Sequence, residues 1–203
     1  MKIYKPTTPS RRGMTGIDFS QLAKKRPEKK LLKYIKRHNG RSASSGEITV
    51  RHKGGGVKKL YRVIEFSQTR MNSLAKVIAL EYDPNRTAFI ALIEYKDGER
   101  QYIIAPQNLE AGQEIIFSET AALNPGNRIK LKNIPVGAAV YNVELEAGKG
   151  GKVVRSAGSS AQVLAHDENY VNLKMPSTEI RKFSGECFAS IGQVSHEEKK
   201  FEE

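Results

Sequence analysis

Tryptophan is absent and cysteine occurs once, at Cys187. A single thiol cannot build a disulfide framework, which suits a reducing compartment and makes the cytoplasm the expected location. The four histidines (His38, His52, His166 and His196) form no H-E-x-x-H pattern. With one cysteine they do not supply a usual zinc set, so neither a metal site nor a cofactor is expected. No run approaches the roughly 18 apolar residues of a membrane-spanning helix. The opening MKIYKPTTPSRRGMTG lacks the apolar core of a secretory signal. The P-loop spacing G-x-x-x-x-G-K-[ST], the G-x-S-x-G elbow and a carboxylate pair for acid/base work are also missing. An enzyme is therefore not expected. Cys187, beside Phe188, reads as a core residue.

Acidic charge is scarce in one place only. Residues 1–59 hold 17 Lys or Arg against 3 Asp or Glu, a balance of +14, while residues 60–203 hold 17 against 19, a balance of −2. The whole net charge of +12 thus comes from the first 59 residues. Such asymmetry points to a basic arm that binds nucleic acid. A membrane-surface helix would need a strong apolar face beside its basic one. The only helical candidate is Glu28–Lys36, with Leu31, Leu32 and Ile35 on one face between Pro27 and Gly40. An arm with so few apolar residues is expected to order on its partner.

A chain of 203 residues allows one to two domains. From Leu60 the pattern changes to short runs rich in Val, Ile and Tyr: Leu60–Phe66, Ala75–Tyr82, Ala88–Tyr95, Gln101–Ala105 and Glu114–Phe117. Asp83-Pro84-Asn85 and Asp97-Gly98 read as the turns between them. Five such strands fit a small OB-like barrel. A second series follows: Arg128–Leu131, Ala139–Leu145, Gly151–Arg155, Ala161–His166, Tyr170–Met175, Glu179–Phe183 and Phe188–Ile191. It fits another small closed barrel. The expected division is an arm over 1–59, a first barrel over 60–122 and a second over 123–203.

Three stretches carry candidate chemistry. Arg51-His52-Lys53-Gly54-Gly55-Gly56-Val57-Lys58-Lys59 combines cations with glycines that let a backbone approach a phosphate. Asp83-Pro84-Asn85-Arg86 puts one Arg at the mouth of a sheet, and a planar guanidinium pairs with phosphate and stacks on bases. Ala147–Gly158, AGKGGKVVRSAG, has Lys149 and Lys152 among glycines before a strand and Arg155 after it. Its glycines are read as a close approach to an RNA phosphate. Arg11, Arg12, Arg41, Arg70 and Arg128 complete the candidate RNA-binding set.

Tyr82–Leu109, Asn124–Gly158 and GRSASSGEITVRHKGGGVKKLYR at 40–62 resemble, in order, the ribosomal protein L2 family of the large subunit. The resemblance covers nearly the whole chain. It implies an extended N-terminal arm, an OB-like barrel and an SH3-like barrel. It implies binding to large-subunit rRNA near the peptidyl-transferase region, with support for subunit association and tRNA binding. Other ribosomal proteins, and small-subunit rRNA at the subunit interface, become expected partners. The family's RNA-contacting arginines of the DPNR and RSAG motifs fall on Arg86 and Arg155, and the GKGG cations on Lys149 and Lys152. Val57 and Tyr141 stand where the family often has histidines, so no histidine role is carried over there. The family's basic C-terminal extension, with its His-Pro-His-Gly-Gly-Gly motif, has no counterpart in these residues. The reach toward the catalytic centre that it confers is not carried over either. The rival reading is a free translation factor built from the same barrel types.

Overall fold

The computed structural model describes residues 2–35, 40–54, 60–67 and 70–201. It is mainly β. In the arm, β1 (Lys2–Ile3) pairs with β2 (Thr15–Gly16), and β3 (Leu32–Tyr34) pairs antiparallel with β4 (Leu60–Arg62). The first barrel is built on β5 (Ser73–Glu81), β6 (Ile90–Tyr95), β7 (Arg100–Ile104) and β8 (Glu114–Phe117). The second barrel contains β9 (Arg128–Lys130), β10 (Ala139–Tyr141), β11 (Val143–Glu144), β12 (Gly151–Val153), β13 (Ala161–His166), β14 (Tyr170–Lys174), β15 (Ile180–Ser184) and β16 (Phe188–Ile191). They fit the OB-like and SH3-like barrels that the resemblance implies, but Leu60–Phe66, expected as the first strand of the first barrel, contributes only Leu60–Arg62, and that segment pairs with β3 outside the main sheet.

The turn at Asp97-Gly98 closes the β6–β7 hairpin as the sequence suggests: Gly98 takes φ +80, and its N–H donates to the Tyr95 carbonyl at 2.9 Å. Ten strands form one sheet in the order β15-β14-β13-β10-β16-β9-β8-β5-β6-β7. A parallel step between Phe117 and Arg128 joins the two barrels.

Strand alternation explains how they pack. On β6, Ala91 and Ile93 face a core with Val77, Ile103, Ile115 and Phe117 inside the first barrel. Ile90 and Leu92 face the opposite way, into a core shared with Val140, Tyr141, Ile191 and Val194 of the second barrel. The strand is therefore buried on both faces, which is why it reads as a near-continuous apolar run. Each fully buried aliphatic or Phe side chain contributes about 1.5–3 kcal/mol. The barrels thus share apolar surface that neither could cover alone. Cys187 is fully buried in this shared core, and burial pushes its thiol pKa up.

Two expectations are corrected. Glu28–Lys36 is not a helix. Lys29–Leu31 forms one 3-10 turn and Leu32–Tyr34 becomes β3, while Lys36 lies outside the described residues. A helix of nine residues is marginal alone, and pairing with β4 satisfies the same backbone groups. Nor does the whole arm await a partner. Leu22 is buried, the Ala23 N–H donates to the Leu80 carbonyl at 2.8 Å, Phe19 meets Tyr82 edge-on at 5.4 Å, and the Glu28 N–H donates to Tyr102 Oη at 3.0 Å. Residues 19–34 therefore lie along the first barrel.

Candidate nucleic-acid interface

The DPNR turn joins β5 to β6. Asp83 is fully buried, and its carboxylate accepts the Asn85 N–H at 2.9 Å, the local bond that shapes an Asp turn. The Asn85 side chain donates to the Leu60 carbonyl at 2.9 Å, which fastens the turn to β4. Arg62 approaches Asp83 at 3.7 Å and Arg86 Nε at 3.1 Å. A buried carboxylate needs such partners, because an isolated buried charge is costly. Arg86 Nη2 also donates to Tyr61 Oη at 2.7 Å and to the Arg62 carbonyl at 3.4 Å. The Arg86 guanidinium lies 4.9 Å from the Tyr61 ring centroid and 5.6 Å from that of Phe66.

The AGKGGKVVRSAG stretch meets the same place from the second barrel. The Gly151 N–H donates to the Phe66 carbonyl at 3.1 Å. A Cβ at Gly151 would overlap the Asn142 side chain, and one at Gly150, at φ +77, would sit 3.0 Å from the Ser67 nitrogen. These two glycines are thus required by packing of the chain on itself, a correction to their reading as a backbone approach to phosphate. Val154, a β-branched residue, is held at φ +56, a strained position fixed by its burial and by the Asn142 N–H donating to its carbonyl at 2.8 Å. Arg155 follows it, exposed, with its guanidinium 4.5 Å from the Phe66 centroid and Nη1 donating to the Gly151 carbonyl at 3.3 Å. The Ala157 N–H donates to Thr87 Oγ1 at 3.2 Å, clasping the residues after both arginines.

The structure therefore brings Arg86 and Arg155 together on one ring. Sequence reasoning missed Phe66. It sits inside an ordinary strand-like run, and nothing local marks it as the meeting point. Lys152 is exposed beside this junction, whereas Lys149 is exposed but ion-paired with Glu146.

The arm builds a second cationic surface. Gly40, at φ +63, closes a loop in which its carbonyl accepts the Thr49 and Val50 N–H groups at 2.8 and 3.1 Å. Arg41 pairs with Ile48 across this loop and donates to the Gly46 carbonyl at 3.0 Å. Arg41, Arg51, His52 and Lys53 line one groove of about 530 Å³ with Ile48 and Val50. Lys58 and Lys59 lie outside the described residues. Arg11 ends a 3-10 turn, 5.4 Å from the Tyr4 centroid, and Arg12 is exposed beside it.

The family model described as Ribosomal Proteins L2, RNA binding N-terminal domain, matches residues 28–117, and that for the Ribosomal Proteins L2 C-terminal domain matches residues 124–203. The chain belongs to the ribosomal protein L2 family. It is a ribosomal protein with RNA-binding domains, from a structural rather than a classical enzyme family. Of the candidate cations of this L2 chain, only Arg11 and Arg12 precede the first matched segment. Among the described residues, no helix is long and apolar enough to cross a membrane.

Two candidates differ from expectation. Arg128 is 2% exposed, with Nη1 donating to the Asn142 carbonyl at 2.8 Å and Nη2 to Glu144 Oε1 at 2.9 Å. Desolvation pushes its pKa down, and Glu144 opposes that shift. This guanidinium is an internal strut of the second barrel and is not presented to RNA. Its strand places it facing inward, which the sequence run RIK could not reveal. Arg70 is ion-paired with both Asp97 and Glu99 and lies 5.0 Å from the Tyr95 centroid. Asp97 in the turn and Glu99 after it hold its fork, so it offers no unopposed charge to a phosphate.

Proposed function

We propose that this L2 protein is a structural constituent of the large ribosomal subunit that binds large-subunit rRNA near the peptidyl-transferase region. It supports subunit association and tRNA binding, in contact with other ribosomal proteins and with small-subunit rRNA at the interface, in the cytoplasm. The chain divides into the arm (1–59), the OB-like domain (60–122) and the SH3-like domain (123–203). Peptide-bond formation is the work of the RNA, and the protein holds that RNA in shape.

The observation that carries this reading is the convergence of Phe66, Arg86 and Arg155 where the two barrels meet. Lys149 and Lys152 flank the junction. Arg11, Arg12, Arg41, Arg51, His52, Lys53, Lys58 and Lys59 supply phosphate contacts from the arm. Such contacts release counterions, so affinity falls with salt by a slope of about 0.7–0.9 per phosphate neutralised. Filter binding to transcribed large-subunit rRNA across a salt series tests this; affinity independent of salt overturns it. Sedimentation separates the reading from a free translation factor. The protein is expected to travel with the large subunit in stoichiometric amount after a high-salt wash.

A further inference from the structure

Asp97-Gly98 is the one Asp-Gly pair in the chain, and such a pair is chemically labile. The Gly nitrogen can attack the Asp side-chain carboxyl, because glycine puts no Cβ in the way. A C–N bond forms, the carboxyl C–O bond breaks, and the amide proton and the carboxyl hydroxyl leave together as water. The resulting succinimide takes up water at either carbonyl. It opens to Asp or to isoaspartate, in which the main chain runs through Cβ. The turn leaves room for this chemistry. Tyr95 and Glu99 close the loop Lys96-Asp97-Gly98, with the Tyr95 N–H donating to the Glu99 carbonyl at 2.9 Å. These loop residues are exposed, and a Cβ at position 98 would meet nothing within 4 Å. What restrains Asp97 is its partners: Oδ1 accepts the Glu99 N–H at 3.2 Å, and Oδ2 accepts Arg70 Nη1. Arg70 is itself fixed, by Glu99 through Nη2 and by the Tyr95 ring, whose centroid lies 5.0 Å from the guanidinium.

We infer that Asp97-Gly98 is a latent isoaspartate site and that Arg70 guards it, holding the Asp97 carboxylate against attack by the Gly98 nitrogen. Closure runs through the protonated carboxyl, since a carboxylate has no hydroxyl to lose. The Arg70 hydrogen bond, followed by that of the Glu99 N–H, lowers the Asp97 pKa and so makes the acid form scarcer. Arg70, Glu99 and Tyr95 are the titratable groups that face this carboxylate, with Lys96 beside it in the loop. This gives a task to a cation whose fork is turned onto acids. What it protects is β6, which is buried on both faces and whose register with β7 begins at Glu94 and Arg100, next to the turn. An extra main-chain atom there disturbs the pairing of the strand that both cores share.

The test ages the full chain and the variants Arg70→Ala, Arg70→Lys and Asp97→Glu in buffer across a pH series, below their unfolding temperatures. Isoaspartate is read by methyl transfer from labelled S-adenosylmethionine with an isoaspartyl methyltransferase, and peptide mapping places the label. Mapping separates this turn from Asn39-Gly40, which gives isoaspartate by deamidation. The peptide carrying Asp97 should gain label several times faster in Arg70→Ala than in wild type, with Arg70→Lys between them. The rate–pH curve of Arg70→Ala should also shift to higher pH, because the freed carboxyl ionises at higher pH. Mere loosening of the turn would raise the rate equally at every pH and leave the curve in place. Asp97→Glu, whose longer side chain closes to a larger and slower-forming ring, should give no label at this turn. Equal rates in wild type and Arg70→Ala overturn the inference, and so does a faster rate with an unshifted curve. Label that persists on this peptide in Asp97→Glu puts the reaction at another residue and overturns it too. If Arg70→Ala fails to fold, Arg70→Lys decides by the same two readouts.

Discussion

In the arm, Arg51, His52 and Lys53 stand exposed along one groove, and among the described residues no Lys or Arg of the arm is held in an ion pair. In the barrels many of the cations have acidic partners: Arg70 with Asp97 and Glu99, Arg86 with Asp83, Arg128 with Glu144, and Lys130 with Glu119 and Glu186. Among the described barrel residues Lys76, Lys96, Lys152, Arg155 and Lys174 are exposed without an ion pair, and of these Lys152 and Arg155 belong to the stretch at the junction. The difference teaches that net charge locates affinity only where acids are scarce. In a neutral region, what matters is which cations lack an acid of their own and also gather in one place, and that is a matter of geometry.

The largest expected effect separates a buried cation from a presented one. Glu144→Ala should destabilise the protein by about 3–5 kcal/mol in urea unfolding, because it strands a buried guanidinium. Unchanged stability would mean that Arg128 is not an internal strut. Next comes the arm. Replacing Arg41, Arg51 and Lys53 together by alanine should lower the salt slope of RNA binding by about 2–3, while unfolding shifts by no more than about 0.5 kcal/mol. A stability loss as large as that of Glu144→Ala would erase the contrast between the regions. Arg70→Ala should leave the salt slope unchanged, since Asp97 and Glu99 already hold that charge; a drop of a full contact would place Arg70 on the RNA.

The smallest effect concerns pH. Hydrogen bonds from Lys130 and Lys132 pull the Glu186 carboxyl down to about 2 from an ordinary 4.5. A depressed carboxyl favours folding above its unfolded value, and that contribution is lost as pH falls toward the folded one. Glu186→Gln should therefore flatten the stability profile only between about 4.5 and 2. A change confined to neutral pH would contradict this pairing.

Much of the fold was legible because strand alternation and turn chemistry are local. Ala161–His166 and Phe188–Ile191 form strands where the apolar pattern places them, and Asp97-Gly98 turns as its backbone preferences require. Leu32–Tyr34 was not legible, because the choice between helix and strand was made by residues 60–62, a partner distant in the chain. The same division runs through the site. Composition by itself determined that the arm carries the charge, since acids are nearly absent there and nothing could cancel it. The sequence also placed Arg86 and Arg155 in recognisable motifs. Only the tertiary structure decided that both arrive at Phe66, that Arg128 faces a buried Glu144, and that two glycines are required by Phe66–Ser67 and Asn142. Those outcomes depend on distances between segments far apart in the chain, and such distances exist only once the two barrels share a core.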